Sequence, residues 1–126
     1  MELSDALIEP VAMRLKAIAD PTRLKVLNLL RSGERSVLAI ADAVGASQPN
    51  VSRHLALLKR AELVGSRKHG KQVLYRIVDP FLDAICDAVC GSVIAQLERQ
   101  NALLPARSRR QRRRGKNLRE SPTSCP

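Results

Sequence analysis

At 126 residues the chain allows one domain with a modest core, and an aromatic content of 2% leaves Leu, Val, Ile and Ala to pack it. The formal charge is +10, but residues 101–126 carry +7 of it, from eight Lys and Arg against one Glu, so residues 1–100 are only mildly basic. No amino-terminal apolar run has signal-peptide length and no segment approaches a membrane span; with three cysteines, an odd number that argues against a disulfide framework, this points to a cytoplasmic protein without a membrane partner.

Residues 1–9 read as a short acidic lead-in. Over residues 11–19 the spacing of Val11, Leu15 and Ile18 predicts an amphipathic first helix, with Pro10 in its first turn. Asp20-Pro21 then supplies an N-cap and N1 pair for a second helix. Its buried stripe is expected from Leu24, Leu27 and Leu30, widened by Val26 and Leu29, and Ser32-Gly33 closes it.

Residues 36–77 hold the stretch around which the chain is organised. Val37, Leu38, Ile40, Ala41 and Val44 recur at helical spacing, and Gly45 stands where a helix ends and the chain turns with positive φ. Ser47 is a good N-cap for the next helix, whose Val51, Leu55 and Leu58 form an inward stripe. The opposite face shows Gln48, Asn50, Ser52, Arg53 and Lys59, side chains suited to base edges or phosphates, with no carboxylate among them. After Glu62 the period changes to two. Leu63 and Val64 precede Arg67-Lys68-His69-Gly70-Lys71, and Val73, Tyr75 and Ile77 follow in alternation, with His69-Gly70 expected to make a hairpin turn. Two short helices, a turn and a basic hairpin make the pattern of a winged helix-turn-helix: mainly α with a small β-hairpin, and suited to double-stranded DNA.

Beyond the hairpin, Asp79-Pro80 reads as a second N-cap and N1 pair, followed by a long helix to about residue 99. Its Leu82, Ile85, Val89, Val93 and Leu97 run close to heptad spacing, as in a dimerising helix. Residues 1–100 are therefore taken as the DNA-binding and dimerisation domain. Residues 101–126 read as a disordered basic tail, able to add salt-dependent affinity for nucleic acid.

Three segments together carry a family resemblance. They are Ala17-Ile18-Ala19-Asp20-Pro21-Thr22-Arg23-Leu24-Lys25-Val26-Leu27; Ser47-Gln48 with Val51-Ser52-Arg53-His54-Leu55-Ala56-Leu57-Leu58; and Gly70 with Leu74-Tyr75-Arg76. In that order the chain resembles the ArsR/SmtB family of bacterial winged-helix repressors, over about residues 10 to 100. The resemblance implies a homodimer formed by the first and last helices and an operator that is an imperfect inverted repeat. From the residues themselves, Gln48, Ser52 and Arg53 are expected at base edges or phosphates, Ser47 and Asn50 to cap the helix or contact phosphate, His54 to pack or touch a phosphate, and Arg67, Lys68, His69 and Lys71 to form the DNA-binding wing. Many metal-sensing relatives carry Cys-Val-Cys on the helix where this chain has Ser36-Val37-Leu38-Ala39-Ile40, so that arsenic site is absent. The zinc site that relatives build from Asp, His and Glu on the last helix is not expected either, because this helix has no His.

The input is instead expected at cysteines. Cys86 and Cys90, four apart on the last helix, share one face about one turn apart and suit a trivalent arsenical or a soft metal ion as effector. Cys125 is a candidate third ligand, reached through a coil spanning roughly 25–30 Å. Otherwise the pair packs as small apolar residues, and the protein answers to oxidation or to a metabolite, or binds nucleic acid less specifically through its tail. No resident cofactor is required. The polar groups offer no set of nucleophile, base and orienter, so an enzyme is not expected.

Overall fold

A computed structural model describes residues 2–102, which are mainly helical with one small antiparallel sheet. The order is α1 (Asp5–Ile18), α2 (Pro21–Leu30), β1 (Arg35–Ser36), α3 (Val37–Val44), α4 (Gln48–Arg60), β2 (Val64–His69), β3 (Gln72–Ile77) and α5 (Leu82–Ala102). The basic run at residues 107–116 and Cys125 lie outside the described residues. The chain forms two compact units that divide after Pro80.

In the first unit, α1 begins five residues earlier than the position of Pro10 suggests. Ser4 stands at its N-cap, Asp5 lies in its first turn, and Pro10 sits inside. Ala6, Leu7 and Glu9 are good helix formers, and Pro10 removes only the bond to the carbonyl of Ala6, so the helix runs through it. Ala17 and Ile18 are buried, whereas Leu7, Ile8, Met13 and Leu15 are exposed. α2 is capped as its sequence implies, the Asp20 carboxylate accepting from the amide of Arg23 at 3.0 Å. Its buried stripe is Val26, Leu27 and Leu30, and Leu24 points to solvent.

The Ser36 hydroxyl accepts from the amide of Ala39 to cap α3, and Gly45 ends that helix at φ +70°. After α4 the same left-handed turn is made without glycine: Glu62 has φ 60°, and the amide of Leu63 reaches back to the carbonyl of Leu58 at 3.0 Å. The sheet order is β1-β3-β2. β2 and β3 pair from Val64 with Ile77 to His69 with Gln72, and the two-residue strand β1, invisible to hydrophobic periodicity, pairs Arg35 with Tyr75 and Ser36 with Leu74. The hairpin loop is Gly70-Lys71, one residue later than expected, with positive φ at its first position only. Val26, Leu27, Leu30, Ile40, Val51, Leu55, Leu58, Leu63 and Val64 are almost completely buried, and each such side chain contributes about 1.5–3 kcal/mol by leaving water.

In the second unit, α5 runs from Leu82, two residues beyond Pro80, with the amide of Ile85 bonded to the carbonyl of Phe81 at 3.0 Å. The Asp79 carboxylate pairs with Arg14 of α1 at 2.5 Å, both within the first unit. On α5, Leu82 is buried and Ile85, Cys86, Cys90 and Ile94 are half-buried, whereas Val89, Val93 and Leu97 form an exposed stripe at a spacing of four. No helix among the described residues is long and apolar enough to cross a membrane.

Candidate nucleic-acid interface

α4 carries the centre of the candidate site. Ser47, in extended conformation, accepts from the amide of Asn50 at 3.3 Å, and Pro49 has no N–H, so within the first turn it is the amide of Gln48 that faces outward for an anion. Val51, Leu55 and Leu58 turn inward with no exposed surface, which fixes the rotation of the helix. Gln48, Ser52, Arg53, Lys59 and Arg60 are exposed, and Asn50 is half-buried. The Arg53 guanidinium donates to the side-chain oxygen of Asn50 at 3.2 Å, so the two residues present one polar group.

His54 departs from this pattern. Its side chain is 19% exposed, and Nδ1 lies 3.3 Å from a guanidinium nitrogen of Arg23 and 4.0 Å from Oδ2 of Asp20. With the guanidinium as donor, Nδ1 accepts and the proton sits on Nε2. Arg23 also donates to the carbonyls of Ala17 at 2.7 Å and Lys16 at 3.2 Å, where a cation complements the end of the α1 dipole. Asp20, Arg23 and His54 thus join the end of α1, the start of α2 and the middle of α4. Sequence reasoning gave Asp20 its cap but left Arg23 without a role, because its partners come from three elements. The Asp20 carboxyl titrates below its ordinary value of 3.8, chiefly because the Arg23 amide bonds the carboxylate form.

The wing places Lys68, His69 and Lys71 in solvent around Gly70, whose φ is +61°. Arg67 is engaged elsewhere: its guanidinium donates to both carboxylate oxygens of Glu34, at 2.7 to 3.1 Å. The Glu34 carboxyl is held below its ordinary 4.5, first by the hydrogen bonds from Arg67, and the guanidinium is raised in turn. On the neighbouring residue, the Ser66 hydroxyl accepts from Nζ of Lys59 at 2.7 Å, linking the last turn of α4 to β2. The Glu34–Arg67 contact was not visible in the sequence, since 33 residues separate the two and nothing in the local pattern joins them.

Cys86 and Cys90 lie on the half-buried face of α5 as thiols. Among the described residues no three His, Cys, Asp or Glu side chains are grouped to hold a metal ion, and Cys125 lies outside those residues.

Comparison with known proteins places this arrangement. The family model described as bacterial regulatory protein, arsR family, matches residues 20–66. The probable mercury resistance operon repressor of Streptomyces lividans is 40% identical over 72 residues, covering 57% of this chain and 58% of that one. The arsenical resistance operon repressor of Staphylococcus xylosus is 39% identical over 71 residues, covering 56% and 68%. The solution structure of the homodimeric winged helix-turn-helix DNA-binding domain Mb0332 from Mycobacterium bovis, a fragment of residues 1–100, superimposes with a TM-score of 0.69 at 37% identity, covering 77% of this chain and 93% of that one. The caps at Asp20, Ser36 and Ser47, the Gly45 turn, and α3 and α4 lie within the matched residues 20–66, and the chain belongs to the ArsR/SmtB family of winged helix-turn-helix bacterial regulators.

Proposed function

We propose that this chain acts as a homodimeric transcriptional repressor. It reads an imperfect inverted repeat with one α4 per half-site, in successive major grooves, and is released when a thiol-binding effector reaches α5. The observation that carries the reading is the division of α4: three fully buried aliphatic side chains on one face, and a carboxylate-free polar face outside. Gln48, Ser52 and Arg53 meet base edges or phosphates. Ser47 and Asn50 serve the phosphate end of the helix, and Lys68, His69 and Lys71 follow the backbone with the wing. His54 serves the site by holding α4 to Asp20 and Arg23. The likeness to a homodimeric DNA-binding domain and to repressors of two resistance operons supports this reading. Residues 1–100 make up the DNA-binding and dimerising part, and the basic stretch 101–126 adds affinity through counterion release.

The effector is a trivalent arsenical held by Cys86 and Cys90. Mercury and arsenic, named for the two related operons, are both thiophilic, and two thiols one helical turn apart can close on one such atom. An organoarsenical oxide gains two As–S bonds and loses its oxygen as water, which takes up the two thiol protons. Inorganic arsenite takes a third thiolate, supplied by Cys125 or by the partner subunit. Linkage requires the effector to bind the unliganded dimer more tightly than the DNA-bound one.

The test is to titrate the reduced protein with phenylarsine oxide, arsenite, zinc and peroxide while following its grip on a fluorescent duplex of its own upstream region. Release by the arsenicals at about one equivalent per subunit is expected, because tight coordination titrates sites stoichiometrically. A Cys86→Ser, Cys90→Ser double variant should then hold the duplex, and its release by arsenical would overturn the thiol site. Arg53→Ala should abolish the specific shift and leave the dimer intact.

A further inference from the structure

The sheet order puts β3 between β1 and β2, so the two outer strands share no hydrogen bonds. Along one row across the sheet, Ser36 lies opposite Leu74, and Leu74 lies opposite Arg67. From that row Arg67 reaches across the central strand to Glu34, just ahead of β1, and forms three N–O contacts of 2.7 to 3.1 Å. Ser66 and Arg67 are consecutive on a strand and so leave it on opposite faces. One is bonded to Lys59 in the last turn of α4, the other to the segment that leads into α3. β2 is thereby gripped from both sides at one level, by the last turn of α4 on one face and by the segment just ahead of β1 on the other.

Building on the operator-binding reading above, we infer that Glu34 and Arg67 form a brace that sets the pitch of the wing against α4, so that Arg67 serves DNA binding as a positioning residue and not as a phosphate contact. The guanidinium suits this role because its planar fork fixes direction as well as distance. Electrostatics favours it too. Were Arg67 to leave for a phosphate, the Glu34 carboxylate would face the polyanion without its hydrogen-bonded partner and with only the weaker attraction of Arg76 and His69, whereas the closed pair is neutral. Both side chains are partly solvated, 51% exposed for Arg67 and 26% for Glu34, and such pairs add little to fold stability. The effect therefore belongs in recognition.

The experiment measures affinity for the upstream duplex and for a random duplex across a salt series, with thermal unfolding alongside, for wild type, Glu34→Gln, Glu34→Arg, Arg67→Glu and the double reversal Glu34→Arg, Arg67→Glu. Wild type must prefer the upstream duplex; equal affinity for both would remove the operator reading itself and, with it, the brace. Given that preference, Glu34→Gln should lower the ratio of the two affinities about fivefold or more, the low end of what one lost base contact costs. Its melting midpoint should stay within about 2 °C of wild type. The double reversal keeps the net charge and rebuilds the pair in mirror order, so it should bring the ratio back to within about twofold and keep the salt slope unchanged. Tighter binding of Glu34→Gln to both duplexes, or a double reversal as weak as Arg67→Glu alone, would return Arg67 to the phosphate contacts and overturn the brace.

Discussion

Glu62 holds a backbone conformation that a side chain ordinarily avoids. It stands at φ 60° after α4, where the amide of Leu63 must turn back to the carbonyl of Leu58 and bury its own side chain. A residue with a Cβ is strained there by about 1–2 kcal/mol, and glycine, which adopts the region without that strain, has a larger unfolded-state entropy of about 0.5–1 kcal/mol to lose. Glu62→Gly is therefore expected to stabilise the protein by about 0.5–1 kcal/mol, read as a higher urea midpoint at unchanged slope. Gly45 makes the same turn at φ +70° after α3 with the residue suited to it, so the end of that helix is marked by its own turn residue, whereas the end of α4 shows in the sequence only as the change of period after Glu62. His54 teaches the complementary lesson. Its neighbour Arg53 is exposed, but one step along a helix turns a side chain through about 100°, and that step carries His54 to Arg23 and Asp20.

At the scale of elements, what was legible was what neighbours in sequence decide. Asp20 and Ser47 cap α2 and α4 because an acceptor three residues before an open amide needs no tertiary help. The alternation after Glu62 gave the hairpin for the same reason. Leu24 was expected inside α2 and points out, because a helix with apolar side chains on most of its surface does not say which stripe the rest of the fold will cover. Two carboxyls then set how these elements respond to acid. Asp20 and Glu34 titrate below their ordinary 3.8 and 4.5 in the folded chain, held there by the Arg23 amide and by Arg67 respectively. A folded value below the unfolded one means that the native state favours the carboxylate. Each contribution is complete above the ordinary value and disappears as pH falls through the lower one. Urea midpoints should therefore lose nothing to these two groups from neutrality down to about pH 5 and fall below about pH 4.5, and Glu34→Gln should make the fall shallower.

At the scale of the molecule, apolar surface left open points to assembly. Leu7, Ile8 and Leu15 are exposed on α1, and Val89, Val93 and Leu97 are exposed at a spacing of four on α5, each close to half its full area. On the proposal that these helices build the dimer, Val93→Asp places a charge in the seam, and the protein should sediment as a monomer and lose its shift of the upstream duplex. Cys86 and Cys90 occupy the neighbouring, half-buried stripe of α5, a division that the heptad-like spacing in the sequence did not reveal because it ran the two stripes together. The wing, in turn, is a beam mounted on the body. Six paired positions from Val64 to His69 give it a length of about 20 Å, and anchorage at Ser66 and Arg67 leaves roughly the outer half to bend, about 10 Å. The bending stiffness of a uniform cantilever rises as the inverse cube of its unsupported length, so halving that length makes the beam roughly eightfold stiffer at its tip. The mean-square thermal excursion of the tip shrinks in the same measure, so on the operator-binding proposal Lys68, His69 and Lys71 reach the DNA backbone already in position.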